Sequence, residues 1–539
     1  MMKLSRSMVV APQPEAAEAA VDVLKAGGNA FDAAIACAFV QGVVDPMMAG
    51  IAGFGSMAVL SRTHGVHEYI DFHAPTPAAA REDMWADLVV GEARDGYGFI
   101  VEGNVNDIGY QSICVPASLR AYETAHSRFG RLPWADIVAP AIEWARSGWT
   151  VRPHVAAWWS DDGSMGRVSH HERLRHTPAA KALYCREDGS PKKVGDAVRN
   201  PDLAATLEEI ARGGADAFYK GDIAARIAQD MQANGGLVSR DDLAAYAPDV
   251  NAPLWGEYRG YRVSTNVPPG GGAMLVEMLN VLENFDLRAM GHNSAEYIRV
   301  VCEAMKVATA DKDRHIGDPK FVEVPLDRLL SKVYAADIAA GIRQGKKATV
   351  PRFNSGFPSK DTTHISIADK DGNCVSMTHS LGMPSGVVTP GLGFMYNGCM
   401  GVFDPRPGRA GSIRPGKARF SSICPSIVFR GDEPYLVVGA PGATQIAMGV
   451  LQAVLNVLDF DMKMSDAVAS PRFSATSDII DVTNRIPRSE TRELEAQGYQ
   501  VERSPQTFGI AWVHGIRIVD GNPDGGADPG ADGVVMSAA

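Results

Sequence analysis

The sequence predicts one interlocked α/β unit, and three observations lead there. Helix-like and strand-like patterns alternate along the chain with no Pro/Ser-rich linker between them. The 539 residues are 45% hydrophobic, ample material for a large core, although length alone allows about two to four domains. The clearest local pattern is a β-hairpin: the alternating run Thr363-His364-Ile365-Ser366-Ile367-Ala368, the turn Asp369-Lys370-Asp371-Gly372-Asn373, and a second run Cys374-Val375-Ser376-Met377-Thr378.

The other elements follow in chain order. Ala16 to Asp32 reads as helix, a Gly27-Gly28-Asn29 cap, then a second helix. Gly50-Ile51-Ala52-Gly53-Phe54-Gly55 is Gly-rich, with packing as its expected role. In Ser169-His170-His171-Glu172-Arg173-Leu174-Arg175-His176, His171 and His176 are about 140° apart on a helix and cannot face one ion, so the stretch reads as a solvated charged segment. Gly270-Gly271-Gly272 lacks the spacing of a phosphate loop and reads as a tight lead-in to a buried helix ending near Leu282-Glu283-Asn284-Phe285-Asp286. The Gly/Asp-rich stretch from Gly521 to Gly533 reads as a turn-rich surface segment, and no fixed-period repeat is present.

Charge narrows the function. The net charge is −11, and the 52 basic residues are scattered, so the basic stripe needed to neutralise phosphates is missing and nucleic acid is not an expected partner. No apolar run reaches the roughly 18 residues of a membrane span, and Met1-Met2-Lys3-Leu4-Ser5-Arg6 leads into polar and Pro residues, so a cytoplasmic location is expected. The seven cysteines include no Cys-x-x-Cys pair, which disfavours a disulfide framework and a structural zinc site. Neither metal nor cofactor is expected.

Asp361-Thr362-Thr363-His364 carries the chemistry. Thr362 stands where an irregular segment enters the hairpin. Cleavage of the chain between Asp361 and Thr362 frees an α-amine beside the Thr hydroxyl. An α-amine titrates near pH 8, about two units below Lys, so it can take the hydroxyl proton. One residue then supplies nucleophile and base. The expected products are a large chain, 1–361, and a small chain, 362–539, that remain associated.

Thr362-Thr363-His364 followed by Asp369-Lys370-Asp371-Gly372-Asn373 resembles the start of the small subunit in the γ-glutamyltransferase family of N-terminal-nucleophile hydrolases. The resemblance runs from near Val9 to about Phe473. It includes the opening Ala-rich helix pair, Asn200-Pro201-Asp202-Leu203 through Phe218-Tyr219-Lys220-Gly221, Asn234-Gly235-Gly236-Leu237, Tyr258-Arg259-Gly260-Tyr261, Pro268-Pro269-Gly270-Gly271-Gly272 and Asp311-Lys312-Asp313-Arg314. It implies a four-layer αββα fold built from two subunits of one autocleaved precursor, with a dimer of such heterodimers as one arrangement.

The resemblance also implies site residues. Gly439-Ala440-Pro441-Gly442-Ala443-Thr444 is similar to the family's oxyanion loop, with the N–H groups of Gly442 and Ala443 as donors. Ser421 and Ser422 match a Ser pair that binds a substrate carboxylate, Arg81 matches a carboxylate-clamping Arg with one residue of local offset, and Ser380 falls where a Thr contacts the nucleophile. Three positions depart: Cys399 replaces a Gln, Val402 replaces the Asp that pairs with the substrate's ammonium, and Gly382 replaces a common Asn. An ammonium left unpaired in a partly dry pocket costs several kcal/mol. The expected activity is hydrolysis, or transfer, of the acyl group of a small carboxylate-bearing amide that lacks the usual ammonium, as in the family's oxamate amidohydrolases and glutaryl-cephalosporin acylases. The alternatives are a γ-glutamyltranspeptidase or glutathione hydrolase, and an uncleaved, non-catalytic binding protein.

Overall fold

The computed structural model describes residues 3–93, 96–160, 167–352 and 362–539, with the backbone of Ser355–Gly356 between them. Two antiparallel sheets stack face to face. The first has the strand order Val534–Ala538, Ser7–Ala11, Thr363–Ala368, Cys374–Ser380, Phe54–Ser61, Val66–Phe72, Asp249–Asn251. The second runs Asn522–Ala527, His514–Val519, Glu433–Gly439, Ser426–Arg430, Tyr261–Thr265, Leu254–Tyr258. Both sheets therefore mix strands from either side of residue 361, which answers to the single interlocked unit read from the sequence.

Helices cover the outer faces and complete four layers, αββα. Pro14–Lys25 and Ala30–Val44 lie on the first sheet, and Gly272–Leu282, Ile446–Leu458 and Met464–Ala469 on the second. The opening helix pair forms as its sequence dictates. Gly27 turns the chain at φ 95°, and Asn29 caps the second helix, its side chain accepting from Phe31 and Asp32 N–H while Asp32 accepts from the Asn29 N–H. Ala30–Val44 is buried on nearly every residue because the helices Ser118–Phe129 and Trp134–Ser147 close over the side away from the sheet. Gly272–Leu282 is buried throughout, the helix expected after the triple glycine.

The predicted hairpin is the centre of the first sheet. Its strands pair from Thr363 opposite His379 to Ala368 opposite Cys374. Gly372 turns at φ 82°, and the Asp369 carboxylate accepts from the N–H groups of Asp371, Asn373 and Ala30, joining the turn to the start of the buried helix.

Two expectations need correction. The Gly/Asp-rich stretch is not a surface segment: Asn522–Ala527 is a strand of the second sheet, and a Cβ on Gly526 would lie 2.5 Å from the Met464 carbonyl. Its glycines admit close packing, and Asp528 is fully buried against Arg472. The 169–176 stretch is not a solvated face either. Arg173 is fully buried, pairing with Asp107 at 2.6 Å and donating to the Pro384 carbonyl at 2.8 Å, while Arg167 takes the other Asp107 oxygen at 2.6 Å. These contacts fix the lead into the strand Pro384–Val388. Among the described residues no cluster of His, Cys, Asp or Glu is arranged to hold a metal, and no helix is long and apolar enough to cross a membrane.

Candidate active site

Thr362 is the last residue before the central strand and is only 5% exposed. Period-two alternation assigns the residues that follow. Thr363 faces the helices, where its hydroxyl accepts from Gln41 Nε2 at 3.1 Å and donates to Gln13 Oε1 at 3.3 Å. His364 faces the second sheet, with Nδ1 2.7 Å from Thr378 Oγ1 and Nε2 2.9 Å from Ser366 Oγ. Burial, with His514 and His379 nearby, holds the His364 imidazole well below its ordinary range, so it is neutral and structural. It also sets the neighbouring strand: a Cβ on Gly439 would fall 2.2 Å from the His364 ring. Only glycine lets the strand Glu433–Gly439 pass there, and its continuation is the expected oxyanion loop.

That loop has an unusual backbone. Gly442 has φ 144° and Ala443 φ 52°, so Ala443 occupies the left-handed region that favours glycine. Its methyl packs with Tyr97 and Met383, and Val402 lies against the same cluster. The conformation asked of a second glycine is thus retained by an alanine whose Cβ has found apolar neighbours.

Ser380 joins Thr362 to the pocket wall. Thr362 Oγ1 donates to Ser380 Oγ at 3.2 Å, and the same oxygen accepts from the Gly382 N–H at 2.8 Å. The Gly50–Gly55 segment packs as expected, since a Cβ on Gly53 would sit 2.3 Å from the Ser380 carbonyl and one on Gly55 2.5 Å from that of Thr378. Ser421 and Ser422 are held from behind by the triple glycine. Ser421 N–H donates to Pro269 O at 2.9 Å, Gly271 N–H to Ile423 O at 2.8 Å, and a Cβ on Gly271 would strike the Ser422 carbonyl at 2.4 Å.

Two of the three departing positions, Gly382 and Cys399, meet, while Val402 lies against Tyr97, Met383 and Ala443. Gly382 turns at φ 76°, and a Cβ there would lie 3.1 Å from Cys399 Sγ and 2.8 Å from Arg419 Nη1. Cys399 is buried, its Sγ 3.5 Å from that same Nη1. Arg81 stands apart: Ala80 and Trp85 pack inward, and the intervening turn leaves the Arg81 side chain 72% exposed, with Asp83 at 3.7 Å. The buried guanidinium beside the pocket is that of Arg419, 2% exposed and stacked 4.5 Å over the Phe54 ring. From Val402 and Phe420 a cavity of about 680 Å³ opens outward past Arg352, Asp404, Arg406 and Arg409. Asp361, the other side of the expected cleavage site, lies outside the described residues.

Sequence reasoning missed the supports. Gln41 Oε1 accepts from His379 Nε2 at 2.7 Å, and Gln41 Nε2 also reaches Gln13 Oε1 at 2.7 Å. Gln13 in turn donates to Asp45 at 2.9 Å, and Tyr122 OH is 2.7 Å from His379 Nδ1. This buried polar chain fixes the strand that begins at Thr363. Asn397 does the same for the pocket floor, accepting from Cys114 N–H at 3.0 Å and Cys399 N–H at 3.2 Å. A polar residue in an otherwise apolar helix, as Gln41 is, was the signal available.

The chain is similar to known proteins over most of its length. The family model described as gamma-glutamyltranspeptidase matches residues 16–538. The acylase ACY 1 proenzyme of Pseudomonas sp. (strain V22) is 36% identical over 97% of this chain and 91% of its own length. The glutathione hydrolase proenzyme of Escherichia coli (strain K12) is 34% identical over 93% and 86%. Among solved structures, the cephalosporin acylase from Bacillus halodurans superposes with a TM-score of 0.86 at 27% identity, covering 99% of this chain and 96% of that one. The gamma-glutamyltranspeptidase of Helicobacter pylori gives 0.55 at 33%, covering 61% and 90%. The chain thus has the N-terminal-nucleophile hydrolase fold and belongs to the gamma-glutamyltranspeptidase family of enzymes.

Proposed function

We propose that this protein cuts itself between Asp361 and Thr362 and then acts as a Thr-nucleophile amidohydrolase, able also to pass its acyl group to an amine. Its substrate is a small amide whose acyl half carries a carboxylate and lacks the usual α-ammonium. The observation that carries this reading is that Ser380, which accepts from the Thr362 hydroxyl, also binds the N–H of Gly382, and that Gly382 abuts the Cys399 thiol and the Arg419 guanidinium.

In the uncut chain the Thr362 nitrogen is an amide and cannot serve as base. Once cleavage frees it, the amine takes the hydroxyl proton as Oγ1 attacks the scissile carbonyl, and Ser380 keeps Oγ1 oriented. The N–H groups of Gly442 and Ala443 receive the developing oxyanion, each such donor typically worth about 3 kcal/mol. Collapse expels the amine, which leaves with a proton from the Thr362 ammonium. Water, or a second amine, then releases the acyl group from the Thr ester by the same steps in reverse. Ser421 and Ser422 donate their hydroxyl hydrogens to the acyl carboxylate in this reading.

A panel of γ-glutamyl, glutaryl, oxamyl and other acyl amides, run with purified protein and with Thr362→Ala, tests this. Thr362-dependent cleavage favouring a des-amino acyl group is expected. The relative named as a glutathione hydrolase supports a second reading, and strong γ-glutamyl preference establishes it. Absence of turnover on any amide overturns both in favour of a binding protein.

A further inference from the structure

Arg419 is a buried cation with no counter-ion among the described residues. Its Nε donates to the Phe420 carbonyl at 3.1 Å, its Nη1 approaches Cys399 Sγ at 3.5 Å, and Phe54 and Tyr97 lie 4.5 and 5.9 Å from its Cζ. Three titratable neighbours, His73, Cys399 and Cys114, are shifted towards their neutral forms. Burial, reinforced by Arg419, holds the His73 imidazole down to about 3, and both ring nitrogens of His73 are buried without a hydrogen-bond partner. Burial pushes the Cys399 and Cys114 thiols up. Tyr97 is a phenol in contact with the Met383–Ala443 cluster.

A guanidinium taken out of water without an anion is strongly unfavourable, and such groups are found where a partner arrives from outside. The position identifies that partner. Arg419 occupies the volume next to Gly382 that any side chain there would fill, beside Cys399. The same segment carries Ser421 and Ser422, two hydroxyls suited to a carboxylate.

We propose that Arg419 is the specificity-determining residue of the acyl pocket. Its guanidinium receives the free carboxylate of the acyl group, so the substrates are mono-amides of short dicarboxylic acids, and an ammonium at the adjacent carbon is repelled by the same charge. This deepens the function proposed above and rests on that reading of the pocket.

The test uses the mature wild-type enzyme with Arg419→Gln, Arg419→Lys and Arg81→Gln. Calorimetry with succinate, glutarate and pentanoate reads the site without turnover, and p-nitroanilides of succinic, glutaric, pentanoic and γ-linked glutamic acid read specificity. The wild type should bind at least one dicarboxylate at least thirtyfold more tightly than pentanoate. It should cleave that acid's anilide at least a hundredfold faster, in kcat/KM, than the γ-glutamyl one. Arg419→Gln should abolish the dicarboxylate preference through KM. Arg419→Lys should lose about tenfold, since a point charge cannot reproduce the two parallel N–H···O bonds. If Arg419→Gln does not fold, the Arg419→Lys shift decides. Arg81→Gln, at the exposed arginine, should leave dicarboxylate binding within threefold. Equal binding of dicarboxylate and pentanoate, or loss on Arg81→Gln equal to that on Arg419→Gln, overturns the proposal. Selective dicarboxylate binding without anilide cleavage leaves Arg419 as the anion site and removes only the catalytic reading.

Discussion

Removing the Ser380 hydroxyl separates a positioning role from a merely filling one. Ser380 is fully buried, and its oxygen both accepts from Thr362 Oγ1 at 3.2 Å and from the Gly382 N–H at 2.8 Å. In Ser380→Ala the nucleophile loses a hydrogen bond worth about 0.5–1.5 kcal/mol, and the buried Gly382 N–H is left unsatisfied at about 1–3 kcal/mol. Both losses fall on the wall that orients Oγ1. Together they correspond to roughly ten- to a thousandfold in rate. The hydroxyl-retaining Ser380→Thr should stay within about tenfold of wild type. The assay is the first-order rate of self-cleavage of freshly made precursor on denaturing gels, followed by kcat of the matured protein at saturating substrate. Ser380→Ala cleaving and turning over within threefold of wild type refutes the argument.

Other perturbations have equally definite outcomes. Ala443→Gly removes left-handed strain of about 1 kcal/mol but also a packed methyl of similar worth, so its melting temperature should change little, whereas Ala443→Val, β-branched at φ 52°, should lower activity at least a hundredfold. Gln41→Leu strands His379 Nε2 and takes one hydrogen bond each from Gln13 and Thr363, which keep the bond between them, and should destabilise by about 3 kcal/mol in urea unfolding, with slower self-cleavage; an unchanged midpoint contradicts the role given to that chain. Burial raises the Asp71 carboxyl to about 6, so its protonated form is favoured in the fold. That contribution is complete below the unfolded value near 4 and is lost as pH rises through about 6. Asp71→Asn should therefore flatten the pH dependence of stability between about pH 4 and 6, measured by urea unfolding across that range. An unaltered slope assigns the dependence elsewhere.

The hairpin, the capped helix pair and the helix behind the triple glycine were legible because each is set by local chemistry: alternation, an Asn cap, glycines at close approaches. Gly439, Gly53 and Gly271 show the limit of such reading. Their need for glycine comes from His364, Ser380 and Ser422, residues remote in sequence that only the folded sheets bring near. The same limit explains the misread segments. Charge in 169–176 and glycine in 521–533 signal surface when isolated, yet Asp107 makes Arg173 a buried partner and the second sheet absorbs 522–527 as a strand. Within the site, Thr362 was read from its motif and Ser380 from the family resemblance, and their hydroxyls lie 3.2 Å apart. The burial of Arg419 needed the structure, because nothing in Lys417-Ala418-Arg419-Phe420 distinguishes a buried guanidinium from a surface one, whereas Arg81 kept the motif and lies exposed.

Intact-mass spectrometry of the purified protein reads whether Thr362 becomes the N-terminal nucleophile. Two chains are expected, one ending at Asp361 and one beginning at Thr362, with the smaller chain gaining the mass of one acyl group at its first residue when a slowly hydrolysed amide is added and quenched in acid. Thr362→Ala should remain a single chain without adduct. An active preparation that consists only of full-length chain, or that carries the acyl mass at another residue, contradicts it.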